Sequence, residues 1–161
     1  MDADARKELA SRFFDEAYRK QMKGEFEEAV ELYGKSIESF PTAEAYTFRG
    51  WTYSHMGRLD EAIAECHKAI EVDPDFGNPY NDIGAYLLQQ GKVDEAIPWL
   101  RRALDAPRYE SYCFPHMNLG RAYEAKRQWA SAQVEYRKAL SHRPDYLPAK
   151  QGLGRIRALL N

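Results

Sequence analysis

Cys113-x-x-His116 has the spacing of a pair of metal ligands, and Cys66 and His67 are adjacent. A closed zinc site needs four ligands, however, and these two pairs fall in separate segments of the chain, so both cysteines read as small core hydrophobes. The acidic pairs Glu27-Glu28, Asp60-Glu61 and Asp94-Glu95 place two carboxylates side by side, as acid-base chemistry would require. They recur at the same point of a repeating pattern, where a helix begins and carboxylates favour its dipole. Gly50, Gly84 and Gly120 sit among helix-forming residues and make no phosphate-cradling loop. The expectation is a non-enzyme with no catalytic residues, no metal and no cofactor.

The elements that carry these residues repeat with a period of 33 to 36 residues, and the pattern occurs four times. Its clearest copy is Tyr46-x-x-Arg49-Gly50-x-x-Tyr53, Gly57, Ala62-x-x-x-Cys66, Ala69 and Pro74, with apolar positions at helical spacing on both sides of Gly57. This predicts a helix, a tight turn and a second helix. A further copy runs Tyr80, Ile83-Gly84, Leu87, Gly91, Ala96, Leu100, Ala103, and the last runs His116, Leu119-Gly120, Tyr123, Ala132, Tyr136, Ala139, Pro144. The first is weaker: Phe13, Ala17, Gly24, Ala29, Tyr33, Ser36 and Pro41, with Glu16 and Lys20 at places that elsewhere are apolar. Small residues at fixed places allow the two helices of a pair to approach, and Pro41, Pro74 and Pro144 end the second helices.

From about Ala10 to Asn161 the sequence resembles the tetratricopeptide repeat family. The resemblance implies an all-α, right-handed superhelical stack of four helix-turn-helix hairpins, about 10–42, 43–76, 77–112 and 113–146. A capping helix at about 147–160 would close a single domain over residues 1–161, because the last hairpin of a stack otherwise leaves an apolar face wet. Lys150, Arg155 and Arg157 on that helix are expected to face solvent. Two features depart from the pattern. Ala106 to Cys113 replaces the short turn between the third and fourth copies with an extended loop, loosely similar to inter-repeat segments of bacterial assembly and pilus-biogenesis proteins. Pro98 lies inside a second helix, near its start.

In this family the first helices line a concave groove that holds a protein or peptide. Projected onto this sequence, the groove takes Phe14, Tyr18 and Met22 from the first hairpin, and Thr47, Phe48, Trp51 and His55 from the second. It takes Asn78, Asn81, Asp82, Ala85 and Gln89 from the third, and Met117, Asn118 and Arg121 from the fourth. Phe14, Tyr18, Phe48, Trp51, Asn81, Asn118 and Arg121 form the candidate peptide-binding set. The aromatics fit either a binding hot spot or packing between neighbouring first helices, and the asparagines can bond an extended backbone through both amide ends. Some relatives grip a C-terminal carboxylate with lysine, asparagine and arginine. Phe14 and Tyr18 stand where that clamp needs lysine and asparagine, leaving Arg121 and Arg155 as a different acid-binding option.

Composition bounds the remaining classes. Hydrophobic residues make up 44% and charged residues 30%, a foldable balance. No apolar run approaches the length needed to span a bilayer, and two cysteines do not make a disulfide framework. A cytoplasmic setting is the expectation, although a removed signal or anchor would leave no trace. Residues 1–98 carry 11 basic and 20 acidic side chains, and residues 99–161 carry 12 and 5. That asymmetry motivates two alternatives to peptide binding: head-to-tail self-association into a homo-oligomer, and nucleic-acid binding by the basic last third. The overall charge of -2 argues against the latter.

Overall fold

The computed structural model describes all 161 residues as nine helices without a β-strand. They are α1 (Ala3–Met22), α2 (Phe26–Ser39), α3 (Ala43–His55), α4 (Leu59–Val72), α5 (Asn78–Gln89), α6 (Val93–Asp105), α7 (Cys113–Ala125), α8 (Trp129–His142) and α9 (Leu147–Leu160). None is long and apolar enough to cross a membrane. Each odd-numbered helix from α1 to α7 packs most extensively on the even one that follows, and α9 packs on both α8 and α7. The backbones of successive odd helices come close to one another, α1 with α3 and so on to α9, whereas those of successive even helices stay apart and meet only through long side chains such as His67 of α4 on Trp99 of α6. The odd helices therefore line the inside of the curve and the even helices splay along its outside.

The repeat unit is visible in the core. Ala29, Ala62, Ala96 and Ala132 are fully buried, as are Tyr33, Cys66, Leu100 and Tyr136, one helical turn further on. Another turn along lie Ser36, Ala69, Ala103 and Ala139, again buried. Ser36 is the polar member of this set, and its hydroxyl donates to the Ala10 carbonyl at 2.7 Å, so no polar group is stranded there. Gly50, Gly84 and Gly120 all face the second helix of their own pair, which makes their surroundings equivalent.

The turn inside each hairpin closes in the same way. The amides of Glu25, Arg58, Lys92 and Gln128 bond carbonyls five residues back, of Lys20, Tyr53, Leu87 and Tyr123, at 2.9–3.0 Å. This is the Schellman arrangement, and it needs a left-handed residue just past the helix end. Gly24, Gly57 and Gly91 supply it with φ of 76–78°; in the last hairpin Arg127 does so at φ 58°. A side chain there is strained, so the bonding pattern fixes the turn even where glycine is missing.

Two boundaries differ from expectation. α1 begins at Ala3, ahead of the expected repeat start, because the Asp2 carboxylate caps it by accepting from the Ala5 amide at 2.8 Å. The loop between the third and fourth pairs spans 106–112, with Cys113 already in α7. That loop is anchored. Arg108 exchanges backbone bonds with Asp75 and Gly77, pairs with Glu44 at 2.8 Å and Asp73 at 2.6 Å, and lies over the Phe76 ring at 4.4 Å. Tyr109 is buried beside Tyr80, Ala103 and Ala106. Pro98 leaves α6 continuous.

Gly77 is where the loop comes closest: a Cβ there would lie 2.4 Å from the Tyr109 Cβ. Gly77→Ala is expected to displace the loop and cost about 1–3 kcal/mol as overpacking. Gly154→Ala, on a helical site with nothing within 4 Å, should instead stabilise by about 0.5–1 kcal/mol. Urea unfolding of both variants followed by circular dichroism checks the contrast.

Candidate peptide-binding groove

On the inner face, α3, α5 and α7 border a cavity of about 500 Å³. α3 contributes Thr47, Phe48 and Trp51; α5 contributes Asn78, Asn81, Asp82 and Ala85; α7 contributes Phe114, Met117, Asn118 and Arg121. The 106–112 loop adds Tyr109 and Ser111 to the wall. A second hollow of about 300 Å³ shares Ala85, Asn118 and Arg121 with the first and runs on to Gln89 and Val93. The two form one groove along α5 and α7.

Five residues of the candidate set, Phe48, Trp51, Asn81, Asn118 and Arg121, line this cavity. Phe14 and Tyr18 do not. Their rings meet Phe48 edge-on at 5.2 and 5.9 Å, and Phe14 also meets Tyr33 at 5.4 Å, an aromatic cluster that ties α1 and α2 to α3. Phe48 thus packs between first helices and fronts the groove at once. Trp51 touches Phe48 and His55 within α3 and otherwise faces the cavity. Met22 and His55 lie outside it. Tyr109 and Ser111 are lining residues that the repeat pattern could not supply, their signal being the long loop itself, whereas Phe114 stands on α7 at the repeat position of Asn78 and could have been found from the register. Arg155 is corrected: both of its guanidinium contacts go to Glu124, at 2.9 and 3.1 Å, so it is not a free acid-binding group.

The polar floor of the groove has directional capacity. The Asn118 amide donates to the Asn81 carbonyl oxygen at 3.1 Å. Beyond that bond the pair retains the Asn81 NH2 group, which also serves the Asp82 carboxylate, and the Asn118 carbonyl oxygen, both on residues that line the groove. Arg121 is exposed and forms no ion pair. Asp82 is half-buried and also has no cation beside it, although one oxygen receives help from the Asn81 amide. Burial pushes its carboxyl up to about 7.

Since the folded-state value lies above the ordinary one, ionising Asp82 subtracts stability from the folded state as pH rises from the usual carboxylate range through about 7. Asp82→Asn is therefore expected to raise the thermal midpoint on the alkaline side of that value, with a gap that shrinks on acidification. Melting curves across pH, wild type against variant, measure it.

No group of three or more His, Cys, Asp or Glu side chains is placed to hold a metal. His116 instead bonds Glu135 at 2.8 Å and stacks on His142 at 5.6 Å. Burial pushes the Glu135 carboxyl up, but the pairing with His116, aided by Lys138, outweighs it and holds the group below the usual range. Cys66 is fully buried, and burial pushes its thiol well up, which makes it a poor nucleophile.

Paired helices with equivalent core positions, a Schellman turn in each pair and a groove on the first helices define a helical-repeat solenoid of the interaction type. Tetratricopeptide repeat models match residues 43–76 and 80–106, and the chain is a tetratricopeptide-repeat protein. It is 33% identical over 78 residues to small glutamine-rich tetratricopeptide repeat-containing protein 2 of Mycosarcoma maydis, covering 48% of this chain and 22% of that protein. The pilF protein of Pseudomonas aeruginosa superposes with a TM-score of 0.87 at 20% identity, over 94% of this chain and 69% of that one. The first repeat domain of Spaghetti (RPAP3), bound to the HSP90 peptide SRMEEVD, superposes with a TM-score of 0.69 at 24% identity, over 74% and 95% of the two chains. At these identities the two structures speak for the fold. The chain spans 9% to 24% of the length of the curated relatives it matches.

Proposed function

We propose that the chain is a non-enzymatic interaction module that holds an extended segment of another protein along α5 and α7, with Trp51 and Phe48 at one side of the groove. The observation that carries this reading is the Asn81–Asn118 pair: two buried amides on successive first helices, bonded to each other in the lining of the groove, with the Asn81 NH2 group and the Asn118 oxygen left over from that bond. An extended backbone offers a matching acceptor and donor, and burying such groups without a partner would be unfavourable. Around this floor the walls are mostly apolar, as a site that takes side chains requires.

The Spaghetti domain lends support as a neighbour in fold that binds a peptide. Its peptide is acidic, whereas the first-hairpin positions where relatives place a carboxylate clamp are Phe14 and Tyr18 here, packed on Phe48. The occupant of this groove therefore differs in chemistry from a chaperone tail. Affinity purification with the wild-type chain and with the Asn81→Ala/Asn118→Ala double variant tests the reading. A partner recovered with the first and lost with the second, at equal helicity, is the expected result; equal recovery with both overturns it.

A further inference from the structure

Within the groove reading, on which this step rests, we infer that Asp82 is a specificity site for a positively charged side chain, lysine or arginine, of the bound segment. Asp82 and Arg121 are the two charged residues that line the cavity, and they occupy it differently. Arg121 stands exposed at the far end on α7, in solvent that already satisfies its charge. Asp82 is drawn into the floor on α5, between Trp51 and Phe48 of α3 on one side and Met117 and Asn118 of α7 on the other. No cation of this chain pairs with it, although the chain pairs Glu65 with Arg49, Asp94 with Lys126 and Glu124 with Arg155 elsewhere.

A carboxylate held among apolar walls without a counter-ion is unfavourable in the free protein. It is the arrangement expected where a ligand brings the opposite charge. The neighbouring aromatic rings add to the same preference, because an ammonium or guanidinium beside a carboxylate also gains from an indole face. An acidic side chain placed there would meet repulsion, and an uncharged one would leave the carboxylate unpaired.

The groups facing Asp82 from the packed elements are few: Cys66 from α4, Tyr86 on its own helix, Tyr109 from the loop and Arg121 from α7, while α3 presents no titratable group to the cavity and α6 no residue at all. The Tyr86 and Tyr109 phenols are pushed up by burial and stay neutral. Asp82 is thus the one group in the floor that titrates near neutrality, at about 7. A lysine or arginine remains charged there, so affinity for a basic segment rises with pH through that value.

Selection of phage-displayed random peptides against the wild type, Asp82→Asn and Trp51→Ala chains tests the inference. Wild type is expected to enrich peptides with a lysine or arginine at one fixed position next to apolar residues. Asp82→Asn should lose that preference, bind the selected peptides roughly tenfold to hundredfold more weakly, and show no rise of affinity with pH. Peptides enriched without a basic position, or a basic preference that survives in Asp82→Asn, would overturn the inference and leave the groove reading in place. Enrichment that is the same for wild type and Trp51→Ala would overturn both.

Discussion

Tyr136→Ala is expected to cost about 3–5 kcal/mol, the range for removing a large buried ring. The ring is fully buried and sits in a slot between two glycines on different helices. A Cβ on Gly120 of α7 would lie 2.6 Å from it, and one on Gly152 of α9 would lie 2.4 Å away. The phenol donates to Glu124 at 2.6 Å, and Glu124 in turn accepts from Arg155 of α9. One side chain of α8 therefore holds α7 and α9 in contact. Because each unit of a stack is held only by its neighbours and α9 packs only on α7 and α8, the variant should lose α9 first and then the fourth pair. Limited proteolysis near Tyr146 before global unfolding, together with urea denaturation, would show it. Tyr136→Phe keeps the ring and loses a bond to a charged acceptor, so a smaller loss of about 1.5–3 kcal/mol is expected.

The second large effect is on binding. Trp51→Ala is expected to weaken capture of the partner segment by at least about 2 kcal/mol, roughly thirtyfold, as the loss of a central aromatic anchor does. The effect on stability should be small by comparison. Trp51 is half-buried, and the aromatic rings it meets, Phe48 and His55, are both on its own helix. Phe48→Ala is a poorer probe. Its ring joins Phe14, Tyr18 and Tyr33 of the first pair to α3, and a loss of binding there would be mixed with a loss of packing. Titration calorimetry with the captured segment and thermal melts of the same samples separate the two contributions.

The helical pairs were legible in the sequence because the signal is local. A buried alanine, a large residue one turn later and a small residue another turn on recur at each second helix, and periodicity reports that directly. The turns of the first three pairs were marked by glycine, and the fourth was not, since Arg127 takes the left-handed conformation that the hydrogen bonds impose. What lay beyond the sequence was set by contacts between distant residues. Arg108 reaches Glu44 and Asp73, and nothing in the residues around it announces that the 106–112 loop folds onto the turn before α5. Arg155 looked like a solvent-facing charge of a cap, and its partner Glu124 is 31 positions away.

The candidate site divides on the same line. Family register placed Trp51, Asn81, Asn118 and Arg121, because one helix face repeats from pair to pair. It also placed Phe14 and Tyr18, which meet Phe48 outside that cavity, Tyr18 with its ring still exposed, since register cannot say how an aromatic ring divides between the groove and the next helix. The uneven charge along the chain, which suggested head-to-tail association, is partly taken up within it: Arg108 and Lys126 pair with Glu44, Asp73 and Asp94 of the acidic first 98 residues.

Nuclear magnetic resonance mapping with an isotope-labelled chain and the unlabelled partner segment bears most directly on where this protein holds its partner. Addition of the segment should shift the side-chain amide signals of Asn81 and Asn118, the Trp51 indole signal and the backbone of α3, α5 and α7, leaving α4, α6 and α8 nearly unchanged. Shifts confined to α4, α6 and α8, with the Asn81 and Asn118 amides unmoved, would place the partner on the outer face and contradict the groove assignment.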